Sequence, residues 1–287
     1  MKNKLTISDR VRLEGKVSLD GAKNSALKLL AASLLTSDRV SLRNYPAGLL
    51  DTQVHVEMLR VLGKTVSVGD DRSVEIEEAG SLETELNYHD RSIRNTLLIL
   101  GTLLTRHGHG KVPLPGGCKL GDRKHDLHLM LLERLGARVW DEGDYLCAEA
   151  PRGGLVGTDI HLPLRSTGAT ENAILCGTLA KGVTRVWNPH IRPEILDLVA
   201  MLRGMGAKIR VFGQEHIEIT GVDGLHGTDH RVIADNMEAI TWLVGAVMTN
   251  GDVEIAGFPY GDLEVVLAHL TAAGARLYRN DEALIVR

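Results

Sequence analysis

Aromatic residues are scarce: they make up 3% of the 287 residues, and only two are phenylalanine. A core short of rings rests on Leu, Val, Ile and Ala, and with 44% hydrophobic and 24% charged residues the composition suits layered α/β packing. Cysteine is also rare. Cys118, Cys147 and Cys176 are odd in number, widely spaced and without a CxxC pair, which argues against a disulfide framework or a thiolate zinc site and fits a reducing, cytoplasmic setting. A large charge of one sign is missing too. The formal net charge of −4 speaks against a polyanion-binding surface over the whole molecule, so nucleic acid is not an expected partner, although a local basic cleft stays open. The longest uncharged runs, near Asn95 to Thr105 and Ala239 to Gly251, are too short to span a bilayer, and the start Met1-Lys2-Asn3-Lys4 has no apolar h-region. Neither a membrane segment nor a signal peptide is expected.

What is present is a repeated phrase. Leu62-Gly63-Lys64-Thr65-Val66 returns as Leu135-Gly136-Ala137-Arg138-Val139, Met205-Gly206-Ala207-Lys208-Ile209 and Ala273-Gly274-Ala275-Arg276-Leu277, at intervals of about 70 residues. Helical spacing precedes each glycine, as in Val54, Met58, Leu59 and Leu62, and a short alternating segment follows it. The glycine therefore reads as a left-handed helix C-cap. Upstream, a second apolar helix begins at Asn24-Ser25, Asn95-Thr96, Asn172-Ala173 and Glu238-Ala239, and a β-rich segment such as Gly182-Val183-Thr184-Arg185-Val186 follows it. One unit is thus strand, helix, strand, helix, strand, strand, and the chain holds four.

Between Arg91 and Lys124 lie seven basic side chains, Arg91, Arg94, Arg106, Lys111, Lys119, Arg123 and Lys124, against the single acid Asp122. Such a run can be a solvated face. It overlaps Pro115-Gly116-Gly117-Cys118-Lys119-Leu120-Gly121-Asp122-Arg123, where glycines let backbone N–H groups approach a ligand and arginine offers a planar fork for phosphate or carboxylate. Neighbouring cations would favour a Cys118 thiolate, which makes it a candidate for nucleophilic or acid–base work; Cys147 and Cys176, in apolar surroundings, read as packing residues. Lys23-Asn24 and Ser166-Thr167-Gly168 lie at helix mouths. Each also reads as an ordinary N-cap, but mouths at the same place in successive repeats suggest one shared anion site. His125 and His128, three apart, make a weak metal pair.

Gly21-Ala22-Lys23-Asn24-Ser25-Ala26-Leu27, Pro115 to Arg123, Asp126-Leu127-His128, Gly168-Ala169-Thr170-Glu171-Asn172 and Arg192-Pro193-Glu194-Ile195 together resemble the enolpyruvyl transferases, and more closely the branch acting on UDP-N-acetylglucosamine than the shikimate-pathway branch. The resemblance runs from about Leu13 to the C-terminus. It implies transfer of the enolpyruvyl group of phosphoenolpyruvate to the 3′-hydroxyl of a UDP-sugar, at the first committed step of peptidoglycan synthesis, with no metal or organic cofactor. Carried over by position, Cys118 matches the family's cysteine acid, the residue alkylated by fosfomycin, with Lys23 and Arg123 beside it as catalytic cations. Lys23 and Asn24 match the phosphoenolpyruvate contacts; Arg94, Arg123, Lys124, His125, Asp126 and Leu127, then Leu164, Arg165, Ser166 and Thr167, match the UDP-sugar contacts. The sequence departs from the family pattern at Lys124, His125, Leu164 and Ile191-Arg192-Pro193-Glu194, so a variant nucleotide acceptor, or a non-catalytic UDP-sugar-binding homologue, stays open.

The resemblance also implies an α/β fold of βαβαββ repeats, three forming an inside-out, prism-like globule. Six repeats in two globules are the family pattern, and the four found here give an expected three-repeat globule over 14–227 and an incomplete second globule from 1–13 plus 228–287. One repeat cannot enclose a core alone, so 228–287, with an opening strand near Lys4 to Leu13, are expected to expose apolar faces: either a companion chain or a second copy covers them, or the chain is a truncated and inactive form.

Overall fold

The computed structural model describes residues 11–91, 93–115 and 125–287. Two compact units divide the chain: Lys23–Ile233 forms one, and the residues up to Ala22 join Ala234–Arg287 in the other. Before the first unit lies β1 (Glu14–Ser18). The first repeat comprises α1 (Lys23–Ala32), β2 (Val40–Arg43), α2 (Leu50–Val61), β3 (Lys64–Val68) and β4 (Ser73–Glu78). The second comprises α3 (Thr96–His107), β5 (His109–Pro113), α4 (Asp126–Arg134), β6 (Arg138–Glu142) and β7 (Tyr145–Glu149). The third runs through β8 (Asp159–His161), α5 (Thr167–Gly177), β9 (Val183–Trp187), α6 (Pro193–Gly204), β10 (Lys208–Phe212) and β11 (His216–Thr220). After β12 (Thr228–Arg231) the fourth holds α7 (Asn236–Met248), β13 (Asp252–Ala256), α8 (Tyr260–Ala272), β14 (Leu277–Arg279) and β15 (Ala283–Val286). The βαβαββ order is the one the repeats predict.

In the larger unit the first helix of each repeat is apolar on nearly all sides, so it is stable only when surrounded. Accordingly Ser25 to Ala32 of α1, Thr96 to Leu104 of α3 and Ala169 to Gly177 of α5 are buried. The second helices are amphipathic: α2 buries Val54, Met58 and Leu59 and turns Glu57 and Arg60 outward. The strands alternate in the same way, β11 burying Ile217 and Ile219. Helices thus line the interior and sheets show one face to solvent. Gly63, Gly136, Gly206 and Gly274 all adopt positive φ directly after their helices, between +95° and +100°, as C-cap glycines must.

Each sheet follows one rule. The strand after the first helix pairs antiparallel with the last strand of the repeat, whose hairpin partner takes the far edge: β2-β4-β3, β5-β7-β6, β9-β11-β10 and β13-β15-β14. A strand that precedes a first helix then adds in parallel. In the third repeat this is β8, and in the second a single bridge from Glu85 to Lys111 takes the place. The other two are exchanged. Strand β1 precedes α1 yet pairs with β13 of the fourth repeat, and β12 precedes α7 yet pairs with β2 of the first. The units therefore divide at Ala22 and Ile233 rather than at 14 and 227, because strand pairing, not sequence period, assigns each opening strand.

Each unit has its own apolar cluster, one built around Leu29, Ile99 and Leu175, the other around Leu243, Ile255 and Leu284. In the smaller unit α8 buries only Leu263 and α7 only Ala239, Leu243 and Ala246, while Met237, Met248 and Val265 are exposed. Helix α7 starts at an Asp235 cap whose carboxylate accepts from the N–H groups of Met237 (2.9 Å) and Glu238 (3.1 Å). Replacing Asp235 by Ala should cost this unit about 1 kcal/mol in a urea titration, the ordinary worth of a helix cap. Among the described residues no helix is long and apolar enough to cross a membrane.

Candidate functional site

Within the Lys23–Ile233 unit a cavity of about 790 Å³ opens where three helices begin. Lys23 and Asn24 start α1, Arg94 and Asn95 precede α3, and Thr167 and Gly168 start α5; all six line it. Arg91, Arg192 and Glu194 add to the wall, with Lys28, Asp51, Glu171 and His128. Helix N-termini present N–H groups and the positive end of the backbone dipole, so three of them around one space favour a polyanion.

Local contacts fix the mouths. Lys23 Nζ lies 3.2 Å from Asp51 of α2. The Asn95 side-chain amide does not cap its own helix but donates to the Leu27 carbonyl of α1 (3.0 Å), tying the second mouth to the first. Ser166 caps α5 by accepting from Ala169 N–H (3.3 Å), and Thr167 Oγ1 lies 2.7 Å from His190 Nδ1. Gly168 leaves no room for a side chain, because a Cβ there would sit 2.8 Å from His128 Nε2. His128 is buried, which pushes its pKa down to about 3 and keeps the ring neutral. Its Nδ1 faces the Asn172 amide nitrogen at 3.2 Å, so Nδ1 accepts and Nε2 carries the proton toward the α5 mouth.

One ion pair in the wall is almost dry. Lys28 Nζ of α1 sits 3.1 Å from Glu171 Oε1 of α5, the two side chains being 9% and 6% exposed. Lys28 Nζ also donates to the Asn24 carbonyl one turn back. Burial pushes the Glu171 carboxyl up to about 7, against the pull of Lys28; Glu194 adds to the rise and Arg192 opposes it. Glu194 in turn lies 3.4 Å from Arg192.

Of the expected site residues, Lys23, Asn24, Arg94 and Thr167 meet at the cavity. Ser166 serves as the α5 cap beside it. His125 occupies the N-cap position of α4, Asp126 begins that helix and Leu127 packs against the core. Leu164 is exposed, and Arg165 reaches the Asn188 side chain (3.3 Å). Cys118, Arg123 and Lys124 lie outside the described residues, as does Lys119. The basic run is not one face. Arg91 and Arg94 are at the cavity, but Arg106 sits at the other end of α3, about 18 Å away at 1.5 Å per residue, where it makes paired bonds to Glu78 (2.6 and 2.9 Å). Lys111 pairs with Glu142 (2.8 Å) and Glu85 (3.4 Å) around β5. Cys147 and Cys176 are buried, as their apolar surroundings suggest, and burial pushes the Cys176 thiol up to about 12. Lys28 is the residue that sequence reasoning passed over. A lone cation in the apolar run Ala26 to Ala32 is a signal, since such a residue is buried only with a partner.

Comparison with known proteins places this geometry in a family. The sequence model of the family described as EPSP synthase (3-phosphoshikimate 1-carboxyvinyltransferase) matches residues 7–287. The UDP-N-acetylglucosamine 1-carboxyvinyltransferase of Gluconacetobacter diazotrophicus is 44% identical over 278 residues, covering 96% of this chain and 66% of its own length. The protein of that name from Finegoldia magna is 37% identical over 285 residues, with 99% and 67% covered. The chain therefore spans about two thirds of the length of the curated relatives it matches. Among solved structures, the enolpyruvyl transferase NikO from Streptomyces tendae superposes with a TM-score of 0.83 at 23% identity, covering 96% of this chain and 66% of that one. EPSP synthase from Acinetobacter baumannii gives 0.74 at 21% identity, with 96% and 64% covered. These two show the shared fold. The family match and the curated relatives go further: the chain belongs to the EPSP synthase family of enolpyruvyl transferases, a family of enzymes.

Proposed function

We propose that the chain transfers the enolpyruvyl group of phosphoenolpyruvate to the 3′-hydroxyl of UDP-N-acetylglucosamine with release of phosphate, the cytoplasmic first committed step of peptidoglycan synthesis. The observation that carries this reading is the convergence of Lys23, Asn24, Arg94 and Thr167 from three helix mouths on one cavity. Phosphoenolpyruvate carries a phosphate and a carboxylate, and held cations with helix N-termini neutralise both without reorganising during the reaction. The curated relatives at 37–44% identity bear the name of this activity.

In this reading Lys23 and Asn24 hold the phosphoenolpyruvate, with Arg123 on its charged groups. The Cys118 thiol gives its proton to the methylene carbon of the enol as the sugar oxygen adds at the neighbouring carbon; loss of phosphate and of a proton then restores the double bond. Arg94, Lys124, His125, Asp126, Leu127 and the stretch Leu164 to Thr167 face the UDP-sugar. No base for the sugar hydroxyl is assigned among these residues.

Phosphate release from phosphoenolpyruvate and UDP-N-acetylglucosamine tests the proposal. Cys118→Ala should lower kcat by about a hundredfold or more, the usual worth of a positioned acid. Lys23→Ala should raise KM for phosphoenolpyruvate by about tenfold or more, since a charge-assisted contact is lost. Absence of turnover by the wild-type chain, with UDP-sugar binding retained, would favour a UDP-sugar-binding homologue instead.

A further inference from the structure

The Lys28–Glu171 pair is odd for a structural ion pair. It joins α1 of the first repeat to α5 of the third inside the wall of the cavity. Lys28 Nζ approaches Glu171 Oε1 at 3.1 Å, yet that oxygen is buried without an aligned hydrogen bond. A buried pair that stabilised the fold would be expected to satisfy its remaining lone pairs, because desolvating two charges otherwise costs as much as their attraction returns. Glu171 is also surrounded by mixed charge. Lys28 faces it from α1, while Glu194 and Arg192 reach it from the start of α6. Neutral His128 of α4 and Arg94 at the α3 mouth share its cavity. The carboxyl is thus poised between its two protonation states, in a space whose helix mouths favour anions.

We propose that Lys28 is an anion-binding residue of this cavity and that Glu171 is its proton-linked counter-ion: when a phosphorylated anion enters, Glu171 takes up one proton from solvent and the Lys28 ammonium turns its charge to the ligand. The inference rests on the proposed use of the cavity for a phosphorylated anion. The linkage is obligatory in sign, because an anion beside Glu171 penalises its ionised form and so favours the bound proton. Lys28 already reaches the first turn of α1 through the Asn24 carbonyl, so its ammonium lies next to the Lys23-Asn24 mouth. The Glu171 carboxyl titrates near 7, so the uptake falls in an accessible range.

Inorganic sulfate is the probe of choice, since it has no proton to exchange near neutrality. Calorimetric titration of the whole chain near pH 7.5, in two buffers of different ionisation enthalpy, should show net proton uptake on sulfate binding. The wild-type dissociation constant should tighten by about tenfold from pH 8 to pH 6, the limit for one linked group titrating across that span. Glu171→Gln should bind sulfate tightly at both pH values without proton uptake. Lys28→Met should bind it weakly at both. Sulfate binding by the wild-type chain without proton uptake, or uptake that persists in Glu171→Gln, overturns the inference and leaves the cavity's anion-binding role intact. No sulfate or phosphoenolpyruvate binding at any pH overturns both. The wild-type uptake measurement needs no variant, so it decides the matter even if a substitution prevents folding.

Discussion

Between pH 6.5 and 4.5 the Lys23–Ile233 unit is expected to lose stability by about 1.4 kcal/mol per pH unit, the slope of one excess proton on the unfolded chain. Three buried groups set its lower bound, and His107, held below its usual range by burial and by Arg106, can only steepen it. His55 of α2 and His128 of α4 are each pushed by burial from 6.5 to about 3, and neither ring nitrogen of His55 has a hydrogen-bond partner. Their folded pKa values are depressed bases, so below 6.5 the unfolded chain binds two protons that the folded chain refuses. Glu171 works the other way. Its folded value near 7 lies above the ordinary 4.5, so the folded chain takes up one proton on acidification before the unfolded chain does. Two losses against one gain leave one. Below 4.5 Glu171 no longer compensates, and carboxylates such as Glu78, which despite its burial Arg106 and Lys64 hold low, refuse further protons, so the slope should at least double down to about pH 3. Urea midpoints at pH 6.5, 5.5 and 4.5 measure the first segment. The variant His55→Leu should flatten it, because one refused proton then balances the one accepted at Glu171. A wild-type midpoint that does not fall over this range would rule out the buried neutral histidines.

Gly101→Ala should be strongly damaging even though the position is helical. Gly101 lies in the middle of α3, where alanine would ordinarily stabilise a helix by about 1 kcal/mol. Here its Cβ would sit 1.9 Å from the Asn172 side-chain oxygen and 3.0 Å from Cys176 Sγ of α5. Asn172 is fully buried and cannot swing away without cost: its amide donates to the Leu97 carbonyl of α3 (3.2 Å) and faces His128 Nδ1 of α4. Displacing it strands a buried polar group and pushes apart the two helices that carry the Arg94 and Thr167 mouths. Overpacking and the lost hydrogen bonds together outweigh the helix gain, for a net loss of about 2–4 kcal/mol. Equilibrium unfolding measures that loss, and sulfate affinity should weaken with it. A variant as stable as the parent would mean that α3 and α5 do not depend on this close approach.

The repeat was legible because it rests on local chemistry. Gly63, Gly136, Gly206 and Gly274 mark helix ends by a conformation that only glycine adopts cheaply, and the apolar runs from Asn24, Asn95 and Asn172 mark the buried helices. The membership of the opening strands was not legible, since β1 and β12 are both short segments whose partners lie more than 180 residues away along the chain. At the cavity, Lys23, Asn24 and Thr167 could be named from their place at helix mouths, and Arg94 from the basic run and the family resemblance. The fate of Arg106 and Lys111 could not, because charge along a sequence does not say at which end of a helix it falls. Glu171 was visible as part of a motif, but its role beside Lys28 depends on two helices from different repeats meeting.

The exchange of β1 and β12 has a consequence for synthesis on the ribosome. The first sheet stays without its parallel edge strand until Thr228–Arg231 has emerged, so the earliest repeat is among the last to be completed. Contacts of such long sequence separation slow folding and leave the edge of Val40–Arg43 open to mispairing meanwhile. A recombinant fragment cut at 227 would keep that edge bare for good, whereas one ending after Ile233 would carry its own closure.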